Sequence, residues 1–451
     1  MTSLWVAKMA VIPTIFTGPC DSCHHQVSCE AYTELAQYLF PRREFQRPSV
    51  LDAMDLALDE LVNAFGSSLQ SLRQQGRITE DQIGRSLSAL FDLCVTAIYS
   101  NGLLAAEGAF SQQALRCGQD SLVFPYTWMC PLCVSGGRPR ADSYLPGATR
   151  KTEGSVVRDF PNVKLLAKPG GRAIGDQGIK ALKSILRFAL ARTDPTARLR
   201  DGGGARGEFD LTVATDSALV FIEVKAKPLI AYPLVAKFRE PQRLGEPQHA
   251  WTDVKVADVQ DLALFLGASG QRLSLEAPVR EDLSTWPLKH VAAIVKSPEE
   301  TFKIIHNWIL QADAYAIWDN EPDVTRWHRF GCGNFSTIEE GRRIEKRVAN
   351  TKELPGLDRT DDIKKGAAQV LKYSRLKFAC KKSSLTSVLM GNTHAITHHN
   401  DYVAPLLRLK VANGDDESCN SEWIFDAVIG LTEDYINNPV LERLFNFKSA
   451  F

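Results

Sequence analysis

Two carboxylates and a lysine stand in a part of the chain where apolar residues are expected. In GEFDLTVATDSALVFIEVKAK, residues 207 to 227, Asp210 interrupts one β-rich run, and Glu223 and Lys225 interrupt the next. Asp216-Ser217 is the only turn-favouring pair between the two runs, so the spacing predicts a hairpin that pairs 215 with 218. Every cross-strand pair then sums to 433. That register sets Asp210 directly opposite Glu223 and Glu208 opposite Lys225, on one face, with Cβ atoms roughly 4.5 to 5.5 Å apart. Like charges facing one another are destabilising, and two carboxylates sharing a site need a proton or a cation at neutral pH. No His or Cys stands beside them, so a hard, oxygen-seeking ion such as Mg²⁺ fits best, held by one or two carboxylates and completed by phosphate oxygens. A lysine beside that ion can hold a phosphate or a water. The competing reading is an exposed hairpin with a salt bridge. Against it, Val220, Phe221, Ile222 and Val224 form a near-continuous apolar run, the mark of a buried strand in which charge needs a reason.

The elements around the hairpin must position these groups. Before it, Ile179, Leu182, Ile185, Leu186 and Leu190 share one helical face, predicting an amphipathic helix over 176–192. After it, a second helix begins near 361 with Ile363, Ala367, Val370 and Leu371 inward, and a strand follows over 384–390. On that helix Lys365, Gln369 and Lys372 or Tyr373 recur every three or four residues and can converge on one face, although such a face is as readily a solvated one.

A lone Asp, an interval of ten to thirty residues, then Glu-x-Lys on an apolar strand resembles the core of the PD-(D/E)xK nuclease superfamily, here as Phe209-Asp210 and Glu223-Val224-Lys225. Phe209 replaces the Pro of the family name. The order helix, hairpin, helix, strand is also that of the family's common core, and the likeness covers residues 176 to 227 and 361 to 392. The resemblance implies an α/β (α+β) fold: a restriction-endonuclease-like mixed sheet flanked by helices. It implies that Asp210, Glu223 and the Val224 carbonyl hold Mg²⁺, that Lys225 orients or activates water, and that Gln369 and Lys365 belong to the phosphate-facing side. Glu208 or Asp176 would supply any further carboxylate.

Between the two halves of that core lie about 130 residues that a minimal core does not require, an insertion suited to specificity. Its pattern predicts a helix near 252–266, a strand over His290 to Val295 and a helix through FKIIHNWILQADAYAI. Its end gathers Arg326, Trp327, Arg329, Arg342 and Arg343, of which the arginines suit guanine edges or phosphates. The Gly202 to Gly204 run reads as a flexible loop that would also allow close approach to DNA.

In the N-terminal third, Cys20-x-x-Cys23 and Cys130-x-x-Cys133 are two knuckles able to complete a tetrahedral zinc site, with His24, His25, Cys29 and Cys117 as spare ligands. The interval between the knuckles exceeds the usual 15 to 20 or so residues, and two unmetallated turns are the alternative. Cys20 to His24 also matches a haem-attachment pattern, which belongs to exported proteins. Helical periodicity fills SVLDAMDLALDELVNAFGSSLQSLR and EDQIGRSLSALFDLCVTAIY between the knuckles. The expected domains are therefore a helical module with a cysteine-bound zinc over 1–150, the first half of a nuclease core over 151–227, an inserted specificity region over 228–358, and the second half with C-terminal helices over 359–451.

The chain has 451 residues, 44% hydrophobic and 24% charged, which suits two or three globular domains. Net charge is zero, yet residues 151–227 carry fourteen Lys/Arg against nine Asp/Glu and residues 326–382 fifteen against seven. A phosphate backbone would find its complement there. No apolar run reaches about 18 residues and the N-terminus lacks a cleavage signal, so a cytoplasmic location is expected, with the ten cysteines as thiols or metal ligands. No phosphate-binding G-x-x-x-x-G-K-[ST] loop encodes a motor, and no G-x-S-x-G elbow is present. His394, His398, His399 and Asn400 lack the frame of a His-Asn-His nuclease and read as a polar loop after the last core strand. The expected function is that of a type II restriction enzyme: Mg²⁺-dependent, site-specific cleavage of double-stranded DNA leaving 5′-phosphates. Such an enzyme works as a homodimer on palindromic sites and beside a cognate DNA methyltransferase. The alternatives are a repair or modification-dependent nuclease with the same core, and a non-enzymatic zinc-containing DNA-binding protein.

Overall fold

A strand as apolar as Leu219–Val224 needs neighbours on both edges and cover on its faces. The computed structural model describes residues 51–104, 115–117, 121–123, 149–150, 158–159, 171–202, 209–215, 218–230, 232, 234–239, 259–266, 271–277, 285–316, 338–339, 342–343, 355–380, 385–396, 398–412 and 421–451. Its helices include α1 (Ala53–Gln74), α2 (Ile83–Leu104), α3 (Gly171–Thr193), α4 (Leu288–Val295), α5 (Pro298–Ala316), α6 (Thr360–Cys380), α7 (Pro439–Leu444) and α8 (Phe447–Ala450). The strands before the insertion are β1 (Leu115–Cys117), β2 (Ser121–Val123), β3 (Thr149–Arg150), β4 (Arg158–Asp159), β5 (Arg198–Asp201), β6 (Leu211–Ala214) and β7 (Leu219–Val224). From the insertion onward come β8 (Leu234–Phe238), β9 (Val259–Phe265), β10 (Arg272–Ser274), β11 (Ile338–Glu339), β12 (Arg342–Arg343), β13 (Leu385–Gly391), β14 (Lys410–Ala412), β15 (Ser421–Trp423), β16 (Ala427–Gly430) and β17 (Asp434–Ile436).

The chain is mixed α/β and divides into two compact units. One takes residues 1–51, 182–226 and 356–451. Its six-stranded sheet runs β17-β16-β13-β7-β6-β5. β13 lies parallel to both β7 and β16, and the outer pairs are antiparallel. Parallel strands are buried on both faces, which is why β7 and β16 are buried at every position. The register sets Leu389 beside Glu223 and Val428 beside Leu389, so these three share a face. Helix α6 packs on β13 and β7, with Ile363 and Val370 joining Leu389 and Val428 in one core. Asp361 and Asp362 in its first turn suit the positive end of the helix dipole, and Arg359 donates to Asp362 across 2.7 Å.

The other unit takes residues 52–181 and 227–355 and holds a five-stranded antiparallel sheet, β1-β2-β8-β9-β10, with the helices α1, α2, α4 and α5 packed on one another. Asp52 caps α1 by accepting from the Asp55 N–H at 2.8 Å, and Thr79 and Gln82 form a capping box ahead of α2. The predicted helices over 176–192, over 302–317, near 361 and in the N-terminal third are present as α3, α5, α6, α1 and α2.

Two expectations in the insertion are overturned. Over its described part the helix expected near 252–266 is the strand β9, buried at Val259 and Leu262–Phe265; an apolar run as short as Leu262–Leu266 fits a central strand as well as a helix, and its pairing with β8 and β10 decides. The strand over His290 to Val295 is helix α4, whose buried Leu288, Val291, Ala292 and Val295 follow the helical period once Leu288 is counted with them. Among the described residues, no helix is long and apolar enough to cross a membrane.

Candidate active site

The site is built where β6 and β7 meet. The ladder pairs Leu211 with Ile222, Thr212 with Phe221, Val213 with Val220 and Ala214 with Leu219, the register expected from the turn, and the Thr215 N–H closes the hairpin on the Ala218 carbonyl at 2.8 Å. Regular pairing stops one residue short of the carboxylate. The Asp210 N–H donates to the Ile222 carbonyl at 3.1 Å, one step off that register, and its Oδ2 accepts from the Val224 N–H at 2.8 Å. Asp210 is therefore not a ladder partner of Glu223. It caps the end of the ladder and grips the peptide on the far side of Glu223. A close approach by β5 supports the departure: the Gly202 N–H donates to the Asp210 carbonyl at 2.6 Å, and a Cβ on Gly202 would stand 2.0 Å from the Phe209 carbonyl oxygen. Gly202 thus serves backbone packing, while Gly203 and Gly204 lie outside the described residues.

Glu223 is buried in β7, at 5% exposure, and Lys225 is partly buried just beyond it. The Lys225 Nζ donates to Glu223 Oε1 and, across 3.2 Å, to the Val224 carbonyl oxygen. Its backbone N–H donates to the Met390 carbonyl at 2.7 Å, extending the parallel pairing with β13. Helix α6 bears on the lysine stem through Gly366, where a Cβ would lie 3.3 Å from Lys225 Cγ and 2.6 Å from Leu389 Cδ1. Both polar groups of Val224 are engaged, its N–H by Asp210 and its carbonyl by Lys225. Two oxygens, Glu223 Oε1 and the Val224 carbonyl, already converge on one cationic nitrogen, with the Asp210 carboxylate on the same peptide. Such an oxygen set fits Mg²⁺, which keeps several waters and takes only one or two protein carboxylates. Among the described residues, no group of three His, Cys, Asp or Glu side chains is gathered for a metal.

The other expected residues are dispersed or undescribed. Gln369 is half-buried one turn beyond Gly366, on the flank of the face that packs on the sheet, and Lys365 and Lys372 are exposed. Asp176 is an exposed residue of α3, and Glu208 lies outside the described residues. Arg342 and Arg343 form β12, paired with β11, and their side chains are outside the description. Arg326, Arg329, Cys20, Cys23, Cys130 and Cys133 also lie outside it.

Two clusters went unread in the sequence. His394 and His399 follow β13 and gather with Tyr435 of β17, with ring centroids 4.8 Å apart for the histidines and 4.9 Å for His399 and Tyr435. The Tyr435 hydroxyl donates to Glu433 Oε1, and Glu433 Oε2 lies 3.7 Å from His394 Nε2. Burial holds His394 below the ordinary imidazole range against the pull of Glu433. The histidines were expected in a polar loop after the last core strand, yet His399 opens a short helical turn over His399–Val403 and β16 and β17 of the same sheet follow; Glu433 and Tyr435 stand about 40 residues away with no local signal. In the other unit, Asp92 of α2 is fully buried; its Oδ2 accepts from the Ile230 N–H and from Trp308 Nε1–H, each at 2.8 Å. Burial raises its carboxyl well above the usual range, more than these donors lower it. A single Asp on an apolar helix face carries no signal of either donor.

No family model, curated protein or solved structure matches the chain.

Proposed function

We propose that the chain is a Mg²⁺-dependent, site-specific endonuclease of double-stranded DNA, of the PD-(D/E)xK type and with a restriction-endonuclease-like core, acting as a homodimer and leaving 5′-phosphates. The observation that carries the reading is the arrangement at the end of β7, where Asp210, the Val224 peptide, Glu223 and Lys225 form one connected set of two carboxylates, a carbonyl and an ammonium. Asp210, Glu223 and the Val224 carbonyl would hold Mg²⁺, which supplies charge neutralisation for the phosphate and the departing oxygen. Lys225 orients the attacking water and offers a positive charge to the phosphate. Asp210 fixes the Val224 peptide, so the carbonyl and the two neighbouring side chains keep one orientation. Burial of Glu223 excludes bulk water, which strengthens its electrostatic pull on a cation. Lys365, Arg326, Arg329, Arg342 and Arg343 are assigned to DNA contacts on sequence grounds. The cysteine quartet is assigned to a structural Zn²⁺ on the same grounds.

One observation favours a second reading, a non-enzymatic zinc-containing DNA-binding protein: Glu223 already has an ammonium counter-ion in Lys225, so the pair satisfies a structural account as well. Incubation of the purified protein with bacteriophage DNA and Mg²⁺, followed by sequencing of the ends, separates the two. Discrete fragments with one repeated 5′-phosphorylated terminus are expected, with loss of cleavage but retention of DNA binding in Asp210→Ala. Cleavage restricted to methylated or structured DNA would assign the same core to modification or repair. Intact DNA, with zinc bound to the protein, would establish the non-enzymatic reading.

A further inference from the structure

We propose that Lys225 is a resident counter-cation of the carboxylate site: its ammonium holds the Glu223 and Val224 oxygens in place and must yield them when a divalent ion enters. The inference rests on the metal-site reading of Asp210, Glu223 and Val224 above, and adds an order of events to it.

Three observations converge. First, the Lys225 Nζ is shared between Glu223 Oε1 and the Val224 carbonyl, two of the three groups assigned to the metal. A lysine that only oriented water would not need to spend its donors on those oxygens. Second, the base of the lysine is held independently of its ammonium. Its N–H is held by the Met390 carbonyl, and α6 closes on its Cγ through Gly366, where a Cβ would lie only 3.3 Å away. The bonds beyond Cγ carry the ammonium, so a turn about them moves the charge without disturbing β7 or its pairing with β13. Third, Glu223 is buried to 5% exposure. A buried carboxylate is costly without a positive partner, and Lys225 removes that cost before any ion arrives. The arrangement keeps the oxygens preorganised, and it sets the ammonium and the divalent ion in competition. Two cations close together repel strongly in such a setting, so the ion must displace the ammonium from Glu223 rather than join it. Displaced from Glu223, the ammonium stays within a side chain's reach, where it can meet a phosphate or a water.

The test is Mn²⁺ binding to the full-length protein without DNA, followed by the ion's paramagnetic resonance signal, which needs no catalytic turnover. Lys225→Met keeps the apolar stem that packs under Gly366 and removes the charge. It is expected to bind Mn²⁺ at least about tenfold more tightly than the wild-type chain, since a competing charge is gone. Lys225→Ala is expected to tighten binding in the same direction and serves if the methionine variant does not fold. Lys225→Arg, which retains a cation, is expected not to tighten it. In every background, Glu223→Gln should remove the site. Unchanged or weaker Mn²⁺ binding in both Lys225→Met and Lys225→Ala, with binding still lost in Glu223→Gln, would overturn the counter-cation role and leave the metal site standing. Mn²⁺ binding insensitive to Glu223→Gln would overturn the metal site and the inference together.

Discussion

Glu223 and Asp92 are both acids buried in apolar surroundings, one in each compact unit, and they are treated in opposite ways. Glu223 stands at the end of β7 beside an ammonium, a backbone carbonyl and a second carboxylate. Asp92 stands in the middle of α2, among Phe91, Trp308 and Tyr232, and its hydrogen-bond donors are uncharged, the Trp308 indole and the backbone of Ile230 and Leu229. Its Oδ1 and the Tyr232 hydroxyl are buried without a hydrogen-bond partner among the described residues. Burial drives the Tyr232 phenol upward, and the nearby Asp92 adds to the shift. Donors that carry no charge leave the cost of burial largely uncompensated, which is why the carboxyl is pushed upward while Asp92 ties α2 to α5 and to the segment after β7. An acid beside a cation and a strand end can exchange that cation for another; an acid locked among indole and peptide donors has nothing to exchange. Burial alone therefore does not mark a working residue, and the charge and accessibility of the partner do.

The comparison breaks most sharply under substitution. Glu223→Gln, which keeps shape and hydrogen bonding but removes the charge, is expected to lower cleavage by at least about a thousandfold while costing no more than about 2 kcal/mol of stability. Steady-state cleavage and urea unfolding on the same preparation check both halves. Equal cleavage in Glu223→Gln and wild type would remove the distinction between the two acids. Asp92→Ala is expected to do the reverse. It strands the Ile230 N–H and the Trp308 indole and leaves a small cavity, for a loss of about 3 kcal/mol in urea unfolding, with kcat unchanged in the fraction that stays folded.

The smallest effect carries the sharpest sign. The Asp92 carboxyl is raised in the folded chain, so the fold binds its proton more tightly than the unfolded chain does. The stabilisation is fully present below the unfolded value, about 3.9, and is lost as pH rises through the folded value. Asp92→Asn supplies a permanently neutral group of the same shape and removes this slope. The melting temperature of Asp92→Asn relative to wild type should therefore climb by a few degrees as pH is raised from about 5 to 8. A constant difference across that range would show that Asp92 gains no proton on folding.

Residue order alone determined the hairpin register, because the turn pair and the side-chain period of two leave one alignment that buries Val220 and Ile222 together. It also determined the helices α1, α2, α3, α5 and α6, whose apolar spacing is long enough to establish a period. It failed at β9 and α4, where seven or eight residues are too few to separate one period from another and the neighbours decide. The pair Glu223 and Lys225 was legible because two residues on one strand share a face whatever surrounds them. What only the tertiary structure decided was the step by which Asp210 leaves the ladder for the Val224 N–H, the closure of α6 on Lys225 through Gly366, the joining of His394 to Glu433, and the burial of Asp92 against Trp308. Local periodicity reports which side of its own element a residue occupies. The partner it meets there comes from a segment tens to hundreds of residues away, and it is set by how helices and strands pack once chain entropy has been overcome.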